Sequence, residues 1–160
     1  MKKILCFFLF LFLPSSLISC SVSETAPPHQ LFEEIEKSYG ALPHGLFFDS
    51  RAKEWEENYL DSDVIEHVFG DEKEYKEAVA SAYFYLSSSL DVYEEIFVLE
   101  CYTSDQARRM AGVFSERDRT LSSFEEEPPE AEILCSGRTV AYCRLCDTVR
   151  AKNAMRQIEK

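Results

Sequence analysis

Between Ala82 and Cys146 the apolar residues change their spacing in a fixed order, and this restricts the fold more than any other property of the chain. Ala82-Tyr83-Phe84-Tyr85-Leu86 is aromatic and strand-like. After a polar turn at 87–90, the segment 93–102 carries Ile96-Phe97-Val98-Leu99, an unbroken run that predicts a buried strand. Thr103 then opens a helix, with Gln106 three residues on completing a capping box. Ala107, Met110, Phe114, Leu121 and Phe124 lie along one stripe of that helix, interrupted by Arg117, and 125–129 ends it in charge and two prolines. Two more strands follow at 132–135 and 139–146, joined by a tight turn at Ser136-Gly137-Arg138. Asp147 or Thr148 caps a last helix whose inner face is Ala151, Ala154, Met155 and Ile158. Hairpin, helix, hairpin predicts an α+β fold: an antiparallel four-stranded sheet with helices packed on one face. Residues 104–124 are expected to cross that face through Met110, Phe114 and Leu121.

The first half is less regular. Leu31, Phe32, Ile35 and Tyr39 are spaced as a helix that Gly40 stops. In 41–58, Leu46-Phe47-Phe48 fits either a short strand or a buried loop, and Trp55 with Tyr59 suits one helical turn. Asp61, Ser62 and Asp63 offer N-caps for a helix over 64–69 closed by Gly70, and a second short helix is expected over 71–79.

The amino end speaks to address. Lys2 and Lys3 precede an apolar run over 4–13, then Pro14 and two serines, and Leu17-Ile18-Ser19-Cys20 closes the segment. This reads as a secretory signal whose cleavage site resembles a bacterial lipobox, Leu-x-small-Cys. The apolar run is about half the roughly 20 residues a spanning helix needs. An Ala-x-Ala-like site, the usual end of an unlipidated signal, does not occur. The expectation is a signal peptide over 1–19, lipidation of Cys20 by a diacylglyceryl group with palmitate-type acyl chains, a tether over 20–29 and one domain over 30–160. Two acyl chains anchor stably where one does not, which puts the protein on the extracytoplasmic side of the cell membrane.

Charge narrows the partners. Loss of 1–19 removes two lysines, so the 17 Lys and Arg fall to 15 against 29 Asp and Glu, a net charge of −14. That excess argues against nucleic acid, whose phosphates demand a basic footprint, and against broad contact with anionic lipid. Residues 138–160 run the other way. Arg138, Arg144, Arg150, Lys152, Arg156 and Lys160 outweigh Asp147 and Glu159, which suits either docking on the acidic body or a basic face for a partner.

The run 82–101, a helix of alternating charge, and Gly137 before Val140-Ala141-Tyr142 resemble the bacterial lipoprotein family catalogued as domain of unknown function 4358. The resemblance covers 60–158. It implies the α+β fold and the lipoprotein address, and it carries over no activity and no catalytic residue. The Glu127-Pro128-Pro129 junction and the cysteines of the mature domain depart from the family pattern.

Chemistry-bearing clusters are few. Cys101, Cys135, Cys143 and Cys146 are structural cysteines in the leading reading, free or paired in disulfides outside the cytoplasm. Cys143-x-x-Cys146 is the alternative, a redox pair or half of a zinc site. Against it, positions 143 and 146 of an extended strand point to opposite faces. His29, His44 and His67 fit no ligand spacing. Asp61-Ser62-Asp63 lacks the glycine and terminal glutamate of a calcium loop. Glu54, Glu56, Glu57, Glu94, Glu95 and 125–127 read as solvated faces. The aromatic cluster of Tyr83, Phe84, Tyr85, Tyr93, Phe97 and Tyr102 reads as sheet core ahead of a ligand groove. The expectation is a lipid-anchored, non-catalytic module that binds an envelope protein or wall component, with no cofactor, metal, nucleic acid or assigned small-molecule ligand. The alternative is a thiol- or metal-dependent envelope enzyme using Cys143 and Cys146.

Overall fold

The computed structural model describes residues 26–88 and 93–159. Cys20, the signal segment and Ser89 and Leu90 of the expected polar turn lie outside the described residues. Among the described residues five helices and five strands follow in the order α1 (Pro28–Tyr39), β1 (Gly45–Asp49), α2 (Ser62–Phe69), α3 (Glu72–Ala78), β2 (Val79–Ser87), β3 (Glu95–Cys101), α4 (Ser104–Ser122), β4 (Glu132–Ser136), β5 (Thr139–Arg144) and α5 (Thr148–Ile158). The strands form one antiparallel sheet, β1-β2-β3-β5-β4.

The α+β class stands, with two corrections. The sheet has five strands where four were expected. Leu46-Phe47-Phe48 is part of strand β1, which pairs along β2 from Gly45 opposite Ser87 to Asp49 opposite Tyr83. A Cβ on Gly45 would lie 2.5 Å from the Leu86 carbonyl oxygen and inside the Tyr85 ring, so the missing side chain lets β1 close on β2. The second correction concerns layers: helices cover both faces of the sheet. On one face α2, α3 and α4 bury Phe84, Phe97, Leu99, Val140 and Tyr142. On the other, α1 and α5 bury Tyr85, Ile96, Val98, Ala141 and Cys143. Ile96-Phe97-Val98-Leu99 is continuous for this reason, because a strand covered on both sides has no solvent face to alternate with.

Local chemistry sets the element ends. Asp61, Asp71, Thr103 and Asp147 each accept a hydrogen bond from the backbone N–H three residues on, which caps α2, α3, α4 and α5. The Gln106 amide departs from a reciprocal capping box: it donates to the Glu77 carbonyl at the end of α3. Gly137, at φ +57°, turns β4 into β5 in two residues. Val79, expected at the end of a helix, is the first residue of β2, so α3 runs into the sheet without a loop. Two aromatic placements also change. Trp55 lies in a turn and not a helix, 78% exposed, with the Lys53 ammonium 5.3 Å from its ring centroid. Phe124 is 72% exposed because α4 stops at Ser122 and the chain turns off the stripe.

Candidate functional site

The α4 stripe is built as expected. Ala107, Met110, Phe114 and Leu121 face the sheet, and Phe114 stacks on Phe97 and Tyr142 with ring centroids 5.3 and 5.1 Å away. Arg117 does not break the stripe; it reaches through it. Its guanidinium grips the Glu95 carboxylate with both arms, at 2.8 and 2.5 Å, and donates to the His67 carbonyl at the end of α2. One side chain thus ties α4 to β3 and to the C-terminus of α2.

Arg144, at the end of β5, is fully buried. It donates to Asp118 at 3.0 Å, to Glu125 at 3.1 and 2.9 Å and to the Tyr93 carbonyl at 2.5 Å. Glu94 accepts from the Cys146 N–H at 2.8 Å. Glu94 and Glu95, expected on a solvated face, are 6% and 3% exposed. Arg117 draws Glu95 inward, since a buried guanidinium must be paired, and Glu94 is held by the Cys146 N–H. Desolvation alone would raise the Glu125 carboxyl, but hydrogen bonds from Arg144 and the Tyr93 N–H outweigh it and hold it below the ordinary carboxylate range. Through these bonds the cluster works as a clamp that ties the end of β5 to Asp118 of α4, to Glu125 and to Tyr93.

Cys143 and Cys146 do not come together as a site. All four cysteines among the described residues are free thiols. Cys143 lies within the core between the sheet and α1–α5, and Cys146 is exposed beyond the strand end. Burial pushes the Cys143 thiol up to about 12 and the Cys101 thiol up to about 11, and burial with the Glu94 carboxylate raises Cys146. These three are protonated at neutral pH, the opposite of an activated nucleophile. Among the described residues no group of His, Cys, Asp and Glu is placed to hold a metal ion. Asp61 is an N-cap, its carboxylate 2.9 Å from the Val64 N–H. Of the aromatic cluster, Phe84, Tyr85 and Phe97 are core, whereas Tyr93 and Tyr102 are exposed.

Sequence reasoning missed the outer side of α4. A groove of about 600 Å³ runs between α4 and the α2–α3 turn, lined by Val68, Phe69, Val113 and Leu121, with Arg109 and Glu74 paired at 2.7 Å on its rim. Gly112 opens into it: a Cβ there would meet nothing within 4 Å. Glycine inside a helix costs about 0.5–1 kcal/mol relative to alanine, and no contact within the domain requires it. The signal in the sequence was a lone glycine in the middle of a long helical stripe. Apolar lining with a charged rim is the composition of a binding surface.

No family model, no curated protein and no solved structure matches this chain.

Proposed function

We propose that this protein is a lipid-anchored, extracytoplasmic interaction module without catalytic activity of its own. The observation that carries the reading is Leu17-Ile18-Ser19-Cys20 behind a charged start and a short apolar run. The resemblance to the lipoprotein family of unknown function supports it through element order and the signal alone. Further support comes from the folded domain. Its buried thiols are protonated, its buried Glu95 and Glu125 carboxylates are bound by arginines, and an apolar groove open to solvent lies beside α4. Among the described residues no helix is long and apolar enough to cross a membrane; in this reading the lipid on Cys20 is the anchor.

Mass spectrometry of the protein purified from native membranes tests the anchor. The expected amino-terminal peptide begins at Cys20 carrying a diacylglyceryl mass, and Cys20→Ala is expected to leave the membrane fraction. An unmodified terminus elsewhere, or membrane retention unchanged in Cys20→Ala, overturns it. Crosslinking in intact cells tests the interaction. A partner lost on Val113→Arg, with the thermal transition of the variant retained, supports the module. Insulin reduction or hydrolase turnover abolished by Cys143→Ser returns the enzyme reading.

A further inference from the structure

Among the described residues β4 pairs along one side only, with β5, and forms an edge of the sheet. Gly137 and Arg138 make a two-residue turn between Ser136 and Thr139, so Glu132, Leu134 and Ser136 aim their backbone N–H and C=O at β5. The N–H and C=O of Ile133 and Cys135 point the other way, off the edge. Nothing in Glu-Ile-Leu-Cys-Ser guards that edge. It holds no proline, lysine or bulge, and its one charge, Glu132, is bound to Lys152 at 3.2 Å. The β1 edge differs, since the Asp49 N–H there donates to the Asn58 carbonyl at 2.8 Å. Beside β4, toward α5, lies a recess of about 170 Å³ lined by Ile133, Leu134 and Met155 and ringed by Lys152, Arg156 and Glu159. With Glu132, those charges sum to zero, in a chain whose net charge is −12.

We infer that the protein associates with a second copy of itself by pairing β4 antiparallel with β4, about a two-fold axis at Leu134 normal to the sheet. Rotation about that axis reverses the strand and keeps each face of the sheet on its own side. Only registers that set outward-pointing residues against outward-pointing residues build a ladder. The register centred on Leu134, the midpoint of β4, uses both of them. Ile133 faces Cys135 of the second copy, and each such pair exchanges two backbone hydrogen bonds. Leu134 faces Leu134 of the second copy on the α5 side, beside the recess. Glu132 faces Ser136, and Glu130 and Arg138, equidistant from Leu134, come to the same end with opposite charge. No like charges stand opposite one another along the strand. On α5 the flank beside the edge runs from Lys152 to Glu159, and reversal turns its basic end toward the acidic end of the second copy. A neutral edge selects against a strongly charged strand from another protein and lets two acidic chains approach. The contact is isologous and closes at two, joining two five-stranded sheets into one of ten strands. It does not depend on the lipid, and no residue lining the groove on α4 belongs to β4 or α5.

Sedimentation equilibrium of the full chain in density-matched detergent reads the assembly, and the wild type is expected to dimerise. Leu134→Lys sets two ammonium groups against each other at the axis and is expected to weaken the dimer by about tenfold or more. Cys135→Pro removes an outward N–H and no donor of the β4–β5 ladder. It is expected to weaken the dimer likewise while the thermal midpoint is retained. Oxidation in a Cys146→Ser background reads the register. Leu134→Cys/Cys135→Ser places two thiols directly opposite, with Cα atoms about 4.5 Å apart, within disulfide reach, and is expected to crosslink. Native Cys135 lies diagonal to its counterpart, about 7–8 Å away, and is expected not to. A chain that stays monomeric throughout overturns the inference. So does a dimer unmoved by Cys135→Pro, or one that crosslinks through Cys135 and not in Leu134→Cys.

Discussion

Arg144 is held by two carboxylates and a carbonyl at zero exposure, and its removal leaves those groups with no cation. Arg144→Met is expected to cost about 3–5 kcal/mol, because breaking a buried pair strands the surviving charge; urea denaturation checks it. Glu125 gives the same clamp a pH signature. Its folded carboxyl is depressed, so its contribution is complete above the unfolded carboxylate value of about 4.3 and fades as pH falls from there through the folded value. Stability measured against pH should therefore decline in acid more steeply for wild type than for Glu125→Gln; equal slopes would remove Glu125 from the account. Neither arginine was legible as a partner. In sequence, Arg117 interrupts a stripe and Arg144 follows Tyr142 by two. A charge at a core-facing position signals a buried counter-charge, but which acid meets it is a matter of tertiary placement: Glu95 of β3 comes to Arg117, and the turn after α4 brings Glu125 to Arg144.

Among the elements, α4 and β3 were the most legible and β1 the least. Nineteen residues of α4 repeat the helical spacing many times, and capping at Thr103 marks the start. Phe114, in contact with Phe97 and Tyr142 and fully buried, is expected to cost about 3–5 kcal/mol when replaced by Ala, read as a lowered denaturation midpoint. β1 has five residues, too few for a period to declare itself, and only its pairing with β2 makes it a strand. Gly45→Ala should unseat it. The new methyl meets a backbone oxygen, so the strand start must shift, at about 1–3 kcal/mol. Amide exchange at 46–48 should accelerate before exchange in β3 does; protection unchanged at those amides would show that β1 tolerates the methyl. The second helical layer escaped for a different reason. The stripes of α1 and α5 were visible, but the face each covers is a matter of connection, and the unbroken run in β3 was the one hint that both were occupied.

For the whole molecule, a sheet enclosed on both faces makes each helical layer depend on the other, since losing either exposes one side of the same strands. Unfolding is expected to be a single transition. Ile35→Ala on the α1 face should cost about 2–5 kcal/mol. Combined with Phe114→Ala on the opposite face it should add to within about 0.5 kcal/mol, the two side chains lying in separate clusters on either side of the sheet. Two resolved melting steps in calorimetry would contradict the shared sheet. α1 itself pairs with no strand. It is held through Leu31, Phe32 and Ile35 against the sheet and α5, and it is the first element among the described residues. Tension on the amino end therefore loads side-chain packing and not a ladder of backbone hydrogen bonds. A helix held this way peels turn by turn, whereas paired strands pulled along their length must release several bonds together. Under a pulling force α1 would yield first and the five strands would stay joined, a low-force extensible link at the point where the domain meets the rest of the chain.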